Sequence, residues 1–290
     1  MLQSLDKYLT TTIFARLARR RSGQAGGAAI PILMYHSVSN EPEAGQHPYF
    51  WLNTTPERFE AQMKFLRENG YDVISLAHAV KLLYGAGSDT GRRNVVITFD
   101  DGFRDFYLNA FPILQRHGFT ATVFLPTDYI TDHTRKMDGK THLSWNEVSE
   151  LHEQGISFGS HTASHLQLKS ANRDDLHFEI KHSKQAIESR IGAPIDSFSY
   201  PFAFPEEDLG LTQYLTDTLT ACGYKYGVST RIGRASAKDP IFFLKRLPVN
   251  SRDDLAFFKA KLEGGYDWLH WFQLTSKIIR AKLRHGKKRN

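Results

Sequence analysis

Asn94-Val95-Val96-Ile97-Thr98-Phe99-Asp100-Asp101-Gly102 joins a short β-branched run to two consecutive acids. Such a run, ended by a glycine, is typical of a buried strand in a parallel sheet. The acids therefore arrive at the carboxyl end of the strand. Because adjacent strand residues point to opposite sides, Asp100 and Asp101 are expected to have different partners.

A second strand pattern, 156–160, leads into His161-Thr162-Ala163-Ser164-His165. The two histidines are four positions apart, a spacing that places both rings on one side of a helical turn. With Asp101 they make three protein ligands, and a metal bound by three protein groups keeps positions open for water and substrate. The pattern predicts a hydrolytic metal site with Asp100 left free beside it.

The two segments together resemble the first two signature motifs of the polysaccharide deacetylases, the NodB-homology or carbohydrate esterase family 4 enzymes. The resemblance runs from about Ile30 to about Asn250. It implies a distorted (β/α) barrel of seven strands that removes acetyl groups from sugars. It also implies a divalent metal, with zinc expected first and cobalt or nickel as alternatives.

The resemblance also implies roles for single residues. Asp101, His161 and His165 would hold the metal, and Asp100 would act as the base. Ser199-Tyr200-Pro201-Phe202 resembles the third motif, in which the residue after proline offers a backbone N–H to the developing oxyanion. Phe202 is therefore the predicted oxyanion donor, with Tyr200 and Pro201 predicted to contact substrate.

Two departures from the family pattern leave roles to be reassigned. The third motif normally carries an arginine that pairs with the base, and the stretch 196–200 has none, so we assign that role to Arg246. The last motif normally ends in a leucine followed by a histidine that acts as general acid. Leu247 is present and predicted to contact substrate, but no histidine follows it.

His36 is our candidate for the missing acid. It ends the apolar strand pattern Pro31-Ile32-Leu33-Met34-Tyr35, as in the branch of the family that resembles the deacetylases of β-1,6-linked poly-N-acetylglucosamine. The alternative is that His36 merely caps a strand and bonds a neighbouring loop. Its position at the carboxyl end of a barrel strand favours the catalytic role.

Strand and helix patterns alternate along most of the chain. Strands are predicted at 31–35, 72–75, 95–99, 121–125, 156–159, 197–199 and 226–229. Helices are predicted at 56–69, 76–84, 106–117, 145–154, 173–192 and 211–222. Alternation of this kind means parallel strands with helical crossovers, and 290 residues suit one α/β barrel. No Gly-x-Gly-x-x-Gly or Walker-type loop indicates a nucleotide.

The charge distribution predicts three segments. Residues 1–26 form a basic amphipathic segment, residues 27–263 the catalytic barrel, and residues 264–290 a basic amphipathic helix and tail. The net charge is +6, yet residues 1–26 contribute +4 and residues 277–290 contribute +7, which leaves −5 for the rest. A mildly acidic barrel argues against a nucleic-acid partner.

The two basic ends suggest an anionic membrane as a partner. Apolar residues of the C-terminal helix are expected on one face, at 268, 271, 272, 278 and 279, and a weaker N-terminal pattern at 2, 5, 9, 13 and 17 has the same character. Tryptophans beside basic residues suit an interfacial helix. The alternative is that both helices pack on the barrel. The charged N-terminus disfavours a secretion signal, so we expect a cytoplasmic protein, peripheral on the membrane.

Two other functions stay open at the level of sequence. A glycoside hydrolase would use Asp100 and a second carboxylate about 5 to 9 Å away, but it would give His161 and His165 no task. A catalytically silent carbohydrate-binding protein would explain the missing arginine and histidine. Trp145, at the start of a predicted helix, could stack on a sugar ring or could pack in the core.

Overall fold

The structure is a computed structural model that describes residues 2–21, 29–41, 51–85, 92–132, 136–137 and 139–287. The predicted boundary between residues 26 and 27 lies outside these ranges, as do the last three residues of the basic tail.

The described chain forms fourteen strands, most of them short. Their bounds are β1 Ala29–Ile30, β2 Ile32–Tyr35, β3 Ser37–Val38, β4 Asn53–Thr54, β5 Tyr71–Val73, β6 Arg93–Phe99, β7 Thr122–Leu125, β8 Lys136–Met137, β9 Lys140–Thr141, β10 Ser157–Ser160, β11 Ser197–Ser199, β12 Tyr226–Ile232, β13 Ala235–Ser236 and β14 Leu244–Pro248.

Seven parallel strands close into a barrel in the order β2, β14, β12, β11, β10, β7 and β6. The ring closes because β2 pairs with β6, at Ile32 opposite Val96 and Tyr35 opposite Phe99. The predicted seven-stranded (β/α) barrel is confirmed. Its membership differs from the strand patterns in the sequence, since β5 pairs only with the first residues of β6, outside the ring, and β14 is the seventh strand.

The helices lie between the strands, as the alternation predicted. Their bounds are α1 Leu2–Leu9, α2 Ala15–Arg21, α3 Pro56–Glu68, α4 Leu76–Tyr84, α5 Phe111–His117, α6 Trp145–Glu153, α7 Arg173–Ile191, α8 Leu209–Ala221, α9 Leu255–Leu262 and α10 Leu269–Lys287. Two π-helical turns, Thr10–Phe14 and Phe106–Ala110, join α1 to α2 and precede α5. Side chains of Thr55, Ser75, Ser144, Asn172, Asp208 and Asp254 cap helix N-termini, which fixes where these helices begin.

Alternating strand residues divide between two apolar layers. Ile32, Val96, Phe124, Val228 and Leu244 form a buried cluster with side chains of α4. Their strand neighbours, such as Leu33 and Ile97, belong to the larger cluster that includes the other helices. Filling the barrel with side chains makes it a packed core, so its chemistry is confined to the ends of the strands.

Both terminal helical regions contact the rest of the protein. Phe14 stacks on Trp268 with ring centroids 4.8 Å apart, and the Trp268 indole donates to Thr10 at 3.3 Å. Lys7 pairs with Asp254, the cap of α9, at 2.6 Å. Trp268 therefore packs inward and precedes α10, so the predicted apolar face of that helix lacks it. Among the described residues, no helix has the length and apolar character needed to cross a membrane.

Candidate metal centre and catalytic site

Asp101, His161 and His165 converge at the carboxyl end of the barrel. One ligand atom from each side chain lies within 4.8 Å of the others. Oδ1 of Asp101 lies 3.4 Å from Nε2 of His161 and 3.3 Å from Nε2 of His165. This oxygen is buried and has no hydrogen-bond partner. One carboxylate and two imidazoles that face each other across so short a gap suit a divalent metal.

Backbone conformation brings Asp101 into the site. Asp101 has φ 69°, in the left-handed region, and Gly102 has φ 59°. A Cβ on Gly102 would lie 2.7 Å from Cδ2 of Leu125, so a larger residue would have to displace that side chain and also adopt a strained left-handed φ. The chain leaves its strand conformation at Asp101, and both acids therefore face the same site with different partners. The prediction of different partners is confirmed, although strand alternation is not the reason.

The His161–His165 segment is an irregular loop, so the predicted helical turn is wrong. Thr162 and His165 both have positive φ, at 66° and 58°. These strained conformations, in place of helical spacing, turn both imidazoles toward Asp101. Strain of this kind costs of order 1–3 kcal/mol for each residue and persists only where the surroundings impose it.

Glu179 of α7 is one such constraint, and nothing in the sequence singled it out. Its carboxylate accepts hydrogen bonds from the backbone N–H of Ala163 and of Ser164, both at 2.8 Å, and from the Ser164 hydroxyl at 2.6 Å. The side chain is buried. A helix acid whose partners are backbone groups leaves no pattern in a sequence.

We expect Glu179→Gln to weaken metal binding, because a neutral amide oxygen accepts weaker hydrogen bonds than a carboxylate and the amide group cannot accept from the Ser164 hydroxyl as well as from both N–H groups. Loss of a group that orients metal ligands typically costs 10–100-fold in metal affinity. Titration with zinc in competition with a chromogenic chelator measures this change. Glu188→Gln is the matched control, since Glu188 lies on the same helix and accepts from Ile195 N–H at 2.9 Å, outside the metal loop. Equal affinities of the Glu179→Gln variant and the parent protein would contradict the role.

Asp100 lies beside the metal ligands in a bidentate pair with Arg246. Nη1 and Nη2 of Arg246 donate to Oδ1 and Oδ2 of Asp100, each at 2.7 Å. The arginine side chain is fully buried inside the barrel, and its Nε donates to the Ser229 carbonyl at 3.0 Å. The guanidinium also donates to the hydroxyls of Ser199 and Thr98, at 3.0 and 3.3 Å. The structure thus places Arg246 on Asp100, and it adds Ser199 and Thr98, which the sequence did not indicate.

The charges in the site oppose the effect of burial on its acids. Burial alone would raise the pKa of Asp100, but the Arg246 guanidinium and nearby imidazoles outweigh it and hold the pKa below its usual value. Burial alone would also raise the pKa of Asp101, but the imidazoles of His161 and His165 that face its carboxylate hold the pKa well below its usual value. Both carboxylates are therefore ionised at neutral pH.

His161 is oriented by a second bond that fixes its tautomer. Nδ1 lies 2.8 Å from the Ser199 carbonyl, so Nδ1 carries the proton and Nε2 is free to face Asp101. Burial lowers the pKa of His161, but Asp100 and Asp101 outweigh that effect and raise it above its usual value. The ring is therefore protonated to a higher pH than an ordinary histidine when no metal is bound.

We expect metal binding to release a proton and to weaken as pH falls through the raised pKa of His161, because only a neutral imidazole can be a ligand. Below that pKa the dissociation constant should rise about tenfold per pH unit for this one group. Calorimetric zinc titrations in buffers of different ionisation enthalpy measure the protons released. An affinity that is flat between pH 5.5 and 8 would contradict the expectation.

His36 follows β2 at the edge of the same site. Its Nε2 lies 4.0 Å from Oδ2 of Asp100, and its side chain keeps a small exposed fraction of 16%. Burial lowers the pKa of His36 below its usual value. The negative charges of Asp101 and Asp100 raise the pKa but do not fully offset the effect of burial. A protonated His36 is therefore a stronger acid than an ordinary imidazolium.

Phe202 lies on the opposite edge, after β11. Its φ is 58°, again left-handed, and its ring centroid lies 4.6 Å from that of the His165 ring. The side chain is half exposed. Phe202 is thus the predicted site residue with the most accessible apolar surface.

The remaining predicted substrate contacts are wrong in this structure. Trp145, Tyr200, Pro201 and Leu247 are all buried and offer no surface to a sugar. Trp145 packs in the large apolar cluster with the Arg190 guanidinium over its ring, and Tyr200 packs against Phe198 and Phe204. The packing alternative for Trp145 is the correct one, because the capping box at Ser144 turns the first residue of α6 toward the core.

Comparison with known proteins agrees with this geometry. Residues 87–227 match the family model described as polysaccharide deacetylase. YxkH of Bacillus subtilis, named as a polysaccharide deacetylase, is 31% identical over 239 residues, which cover 81% of this chain and 77% of that protein. The poly-beta-1,6-N-acetyl-D-glucosamine N-deacetylase of Escherichia coli K12 is 30% identical over 139 residues, 45% of this chain but 20% of its own length.

A solved structure has the same fold. The Streptococcus pyogenes deacetylase PplD, determined in complex with acetate, superposes with a TM-score of 0.70 at 24% identity, covering 82% of this chain and 99% of that one. At that identity the likeness establishes the barrel architecture alone.

Proposed function

This chain belongs to the polysaccharide deacetylase family, and on that premise we propose that it hydrolyses N-acetyl groups from amino sugars of a polysaccharide or a lipid-linked glycan, with a divalent metal. The observation that carries the proposal is the pairing of two carboxylates with different tasks. Asp101 faces His161 and His165, whereas Asp100 is held by Arg246 and kept off the metal ligands.

The three metal ligands would be Asp101, His161 and His165, and zinc is the proposed ion. A divalent metal there would supply Lewis acidity and would lower the pKa of water to about 7. Cobalt and nickel accept the same mixed nitrogen and oxygen donors. Two observations support a metal at this place: one carboxylate and two imidazoles face each other, and Oδ1 of Asp101 is buried without a hydrogen-bond partner.

The remaining residues of the site would move protons and hold charge. Asp100, ionised, takes the proton of the attacking water while Arg246 keeps its carboxylate in place. The Phe202 backbone N–H donates to the tetrahedral oxyanion, a type of contact whose loss costs roughly 3 kcal/mol. His36 gives a proton to the departing amine, which is too poor a leaving group to depart as an anion.

The substrate class is supported by the relatives and by the opening of the site. The Escherichia coli relative is named for poly-β-1,6-N-acetyl-D-glucosamine, so oligomers of that polymer are the first substrates to test. The half-exposed Phe202 ring beside His165 offers an apolar surface that one face of a sugar could cover.

The test is acetate release from β-1,6-linked N-acetylglucosamine oligomers and from acetylated lipid-linked glycans. Release should vanish after chelation and return with zinc, cobalt or nickel. Cleavage of the glycosidic bond that is insensitive to chelation, with no acetate released, would favour the glycoside hydrolase alternative. Metal bound without release from any substrate would favour the silent carbohydrate-binding alternative.

We further propose that the protein works on the cytoplasmic face of an anionic membrane, where a lipid-linked or nascent glycan is available. The outward face of α10 supports this, because Trp271 and Phe272 are 69% and 65% exposed and Ile279 lies on the same side. Residues 278–290 add six basic and no acidic side chains. Each basic residue near anionic lipid contributes about 1 kcal/mol.

Flotation with vesicles tests this location. The parent protein should float with vesicles that contain phosphatidylglycerol but stay behind with neutral phosphatidylcholine, and Trp271→Ser with Phe272→Ser should abolish flotation. Leu209→Ser is the matched control, because Leu209 is 80% exposed at the start of α8, outside the terminal helices. Equal flotation of the double variant, or none by the parent protein at low salt, would end the proposal.

A further inference from the structure

The inward face of α10 contacts the segment that carries Phe202. Lys277 Nζ donates to the Phe204 carbonyl at 2.8 Å and to Oε1 of Glu206 at 3.0 Å. Gln273 Nε2 donates to the Thr230 carbonyl at 3.1 Å. Residues near the end of the chain thus reach the loop that follows β11 and the strand beside it.

Thr230 of β12 links the two contacts. Its hydroxyl donates to the Phe202 carbonyl at 3.0 Å and accepts from the Phe204 N–H at 2.8 Å. These two bonds fix the Phe202 carbonyl and the Phe204 N–H, and so restrain the backbone angles of Phe202 from its carbonyl side. The direction of the Phe202 N–H depends on those angles. This bracing maintains a left-handed φ in a residue that is not glycine.

Glu206 fastens the far end of the same segment. Its carboxylate lies 3.0 Å from Lys277 Nζ and 2.9 Å from Nε of Arg231, and it is nearly buried. Burial strengthens such charged contacts, because little water competes for them. From Phe202 to Glu206, the segment is held by one strand and one helix.

We propose that Lys277 and Gln273 are positioning residues for the oxyanion donor, so that α10 belongs to the catalytic machinery although it lies beyond the residues 87–227 that match the family model. This inference rests on the proposed function, in which the Phe202 N–H stabilises the oxyanion. Such a donor is effective only at the place where charge develops, so a small shift of the peptide lowers kcat and leaves the metal ligands intact.

The test compares Lys277→Met with Lys277→Arg, which can still donate to both the carbonyl and the carboxylate. For acetate release from N-acetylglucosamine oligomers, Lys277→Met should lower kcat about tenfold, part of the 10²–10³-fold effect of losing such a donor, with KM and zinc affinity changed less than twofold. Lys277→Arg should restore most of kcat. Lys64→Met is the control, since Lys64 forms an exposed pair with Glu68 on α3.

Hydrogen exchange of peptides spanning 199–207 supplies a readout that does not need activity. Exchange should be faster in Lys277→Met and in Gln273→Leu, and unchanged in Lys64→Met. Unchanged exchange, or a loss of zinc affinity as large as the loss of kcat, would overturn the positioning role. A parent protein that releases no acetate would overturn the proposed function and with it the catalytic meaning of these contacts, whatever the exchange rates.

Discussion

Asp100→Asn should abolish turnover while zinc stays bound. Removal of a positioned base typically costs 10²–10⁴-fold in rate, and the amide cannot accept the proton from water. The metal ligands are untouched, because Asp101, His161 and His165 make no hydrogen bond to Asp100. The measurement is acetate release at saturating substrate, with zinc content determined on the same sample.

Asp101→Ala is the matched comparison. This variant is expected to lose its zinc, whereas Asp100→Asn is expected to retain it. Removing one of three ligands should release zinc during dialysis and abolish turnover together with it. The two acids are adjacent in sequence, so comparing the two variants distinguishes the role of the base from that of the metal ligand at neighbouring positions. Equal zinc loss in the two variants would contradict the assignment of base and ligand.

Arg246→Met should cost about 3–5 kcal/mol in the free energy of unfolding. That is the usual penalty for removing one partner of a buried ion pair, because the charge of Asp100 would stay buried without compensation. Turnover should fall as well, since the Ser199 hydroxyl and the nearby imidazoles cannot replace the two guanidinium bonds that keep the carboxylate ionised and in place. Arg246→Lys should keep only part of the stability and part of the turnover, because lysine cannot form the bidentate contact.

The pH dependence of that loss follows from the pKa of Asp100. In the parent protein the pKa is depressed, so the contribution to stability is present above the unfolded value of 3.8 and is lost as pH falls. Without Arg246, burial alone would raise the pKa, and stability would instead fall as pH rises.

Urea unfolding at pH 5 and pH 8 measures how the free energy of unfolding depends on pH in each protein. The loss of unfolding free energy caused by Arg246→Met should be larger at pH 8 than at pH 5. The double variant Asp100→Asn with Arg246→Met removes both charges and should be more stable than Arg246→Met alone. A deficit that is independent of pH would mean that Asp100 stays ionised without its partner.

The sequence by itself determined the class of fold and the three residues that converge in the candidate metal site. Periodicity fixed the helices closely, with α3, α4 and α6 within one residue of prediction, because apolar spacing and capping residues are local signals. Asp101, His161 and His165 were recognisable because their residue types, and their positions after apolar strands, have few other uses.

Tertiary structure decided which strands close the ring and which side chains reach the site. The strand pattern at 72–75 matches β5, yet β14 takes the seventh place, because ring membership depends on pairing between distant residues. Burial removed Trp145 and Tyr200 from the predicted substrate contacts for the same reason. A residue type says what a side chain can do, but packing decides what it faces.

The contacts that brace the site were beyond the reach of sequence. Glu179 and Lys277 bind backbone N–H and carbonyl groups, which every residue has, so no residue pattern marks the partner. The left-handed conformations of Asp101, His165 and Phe202 are uncommon for residues other than glycine, and no residue pattern in the sequence predicts them. Local chemistry is encoded in residue identity, whereas its geometry arises only when distant parts of the chain meet.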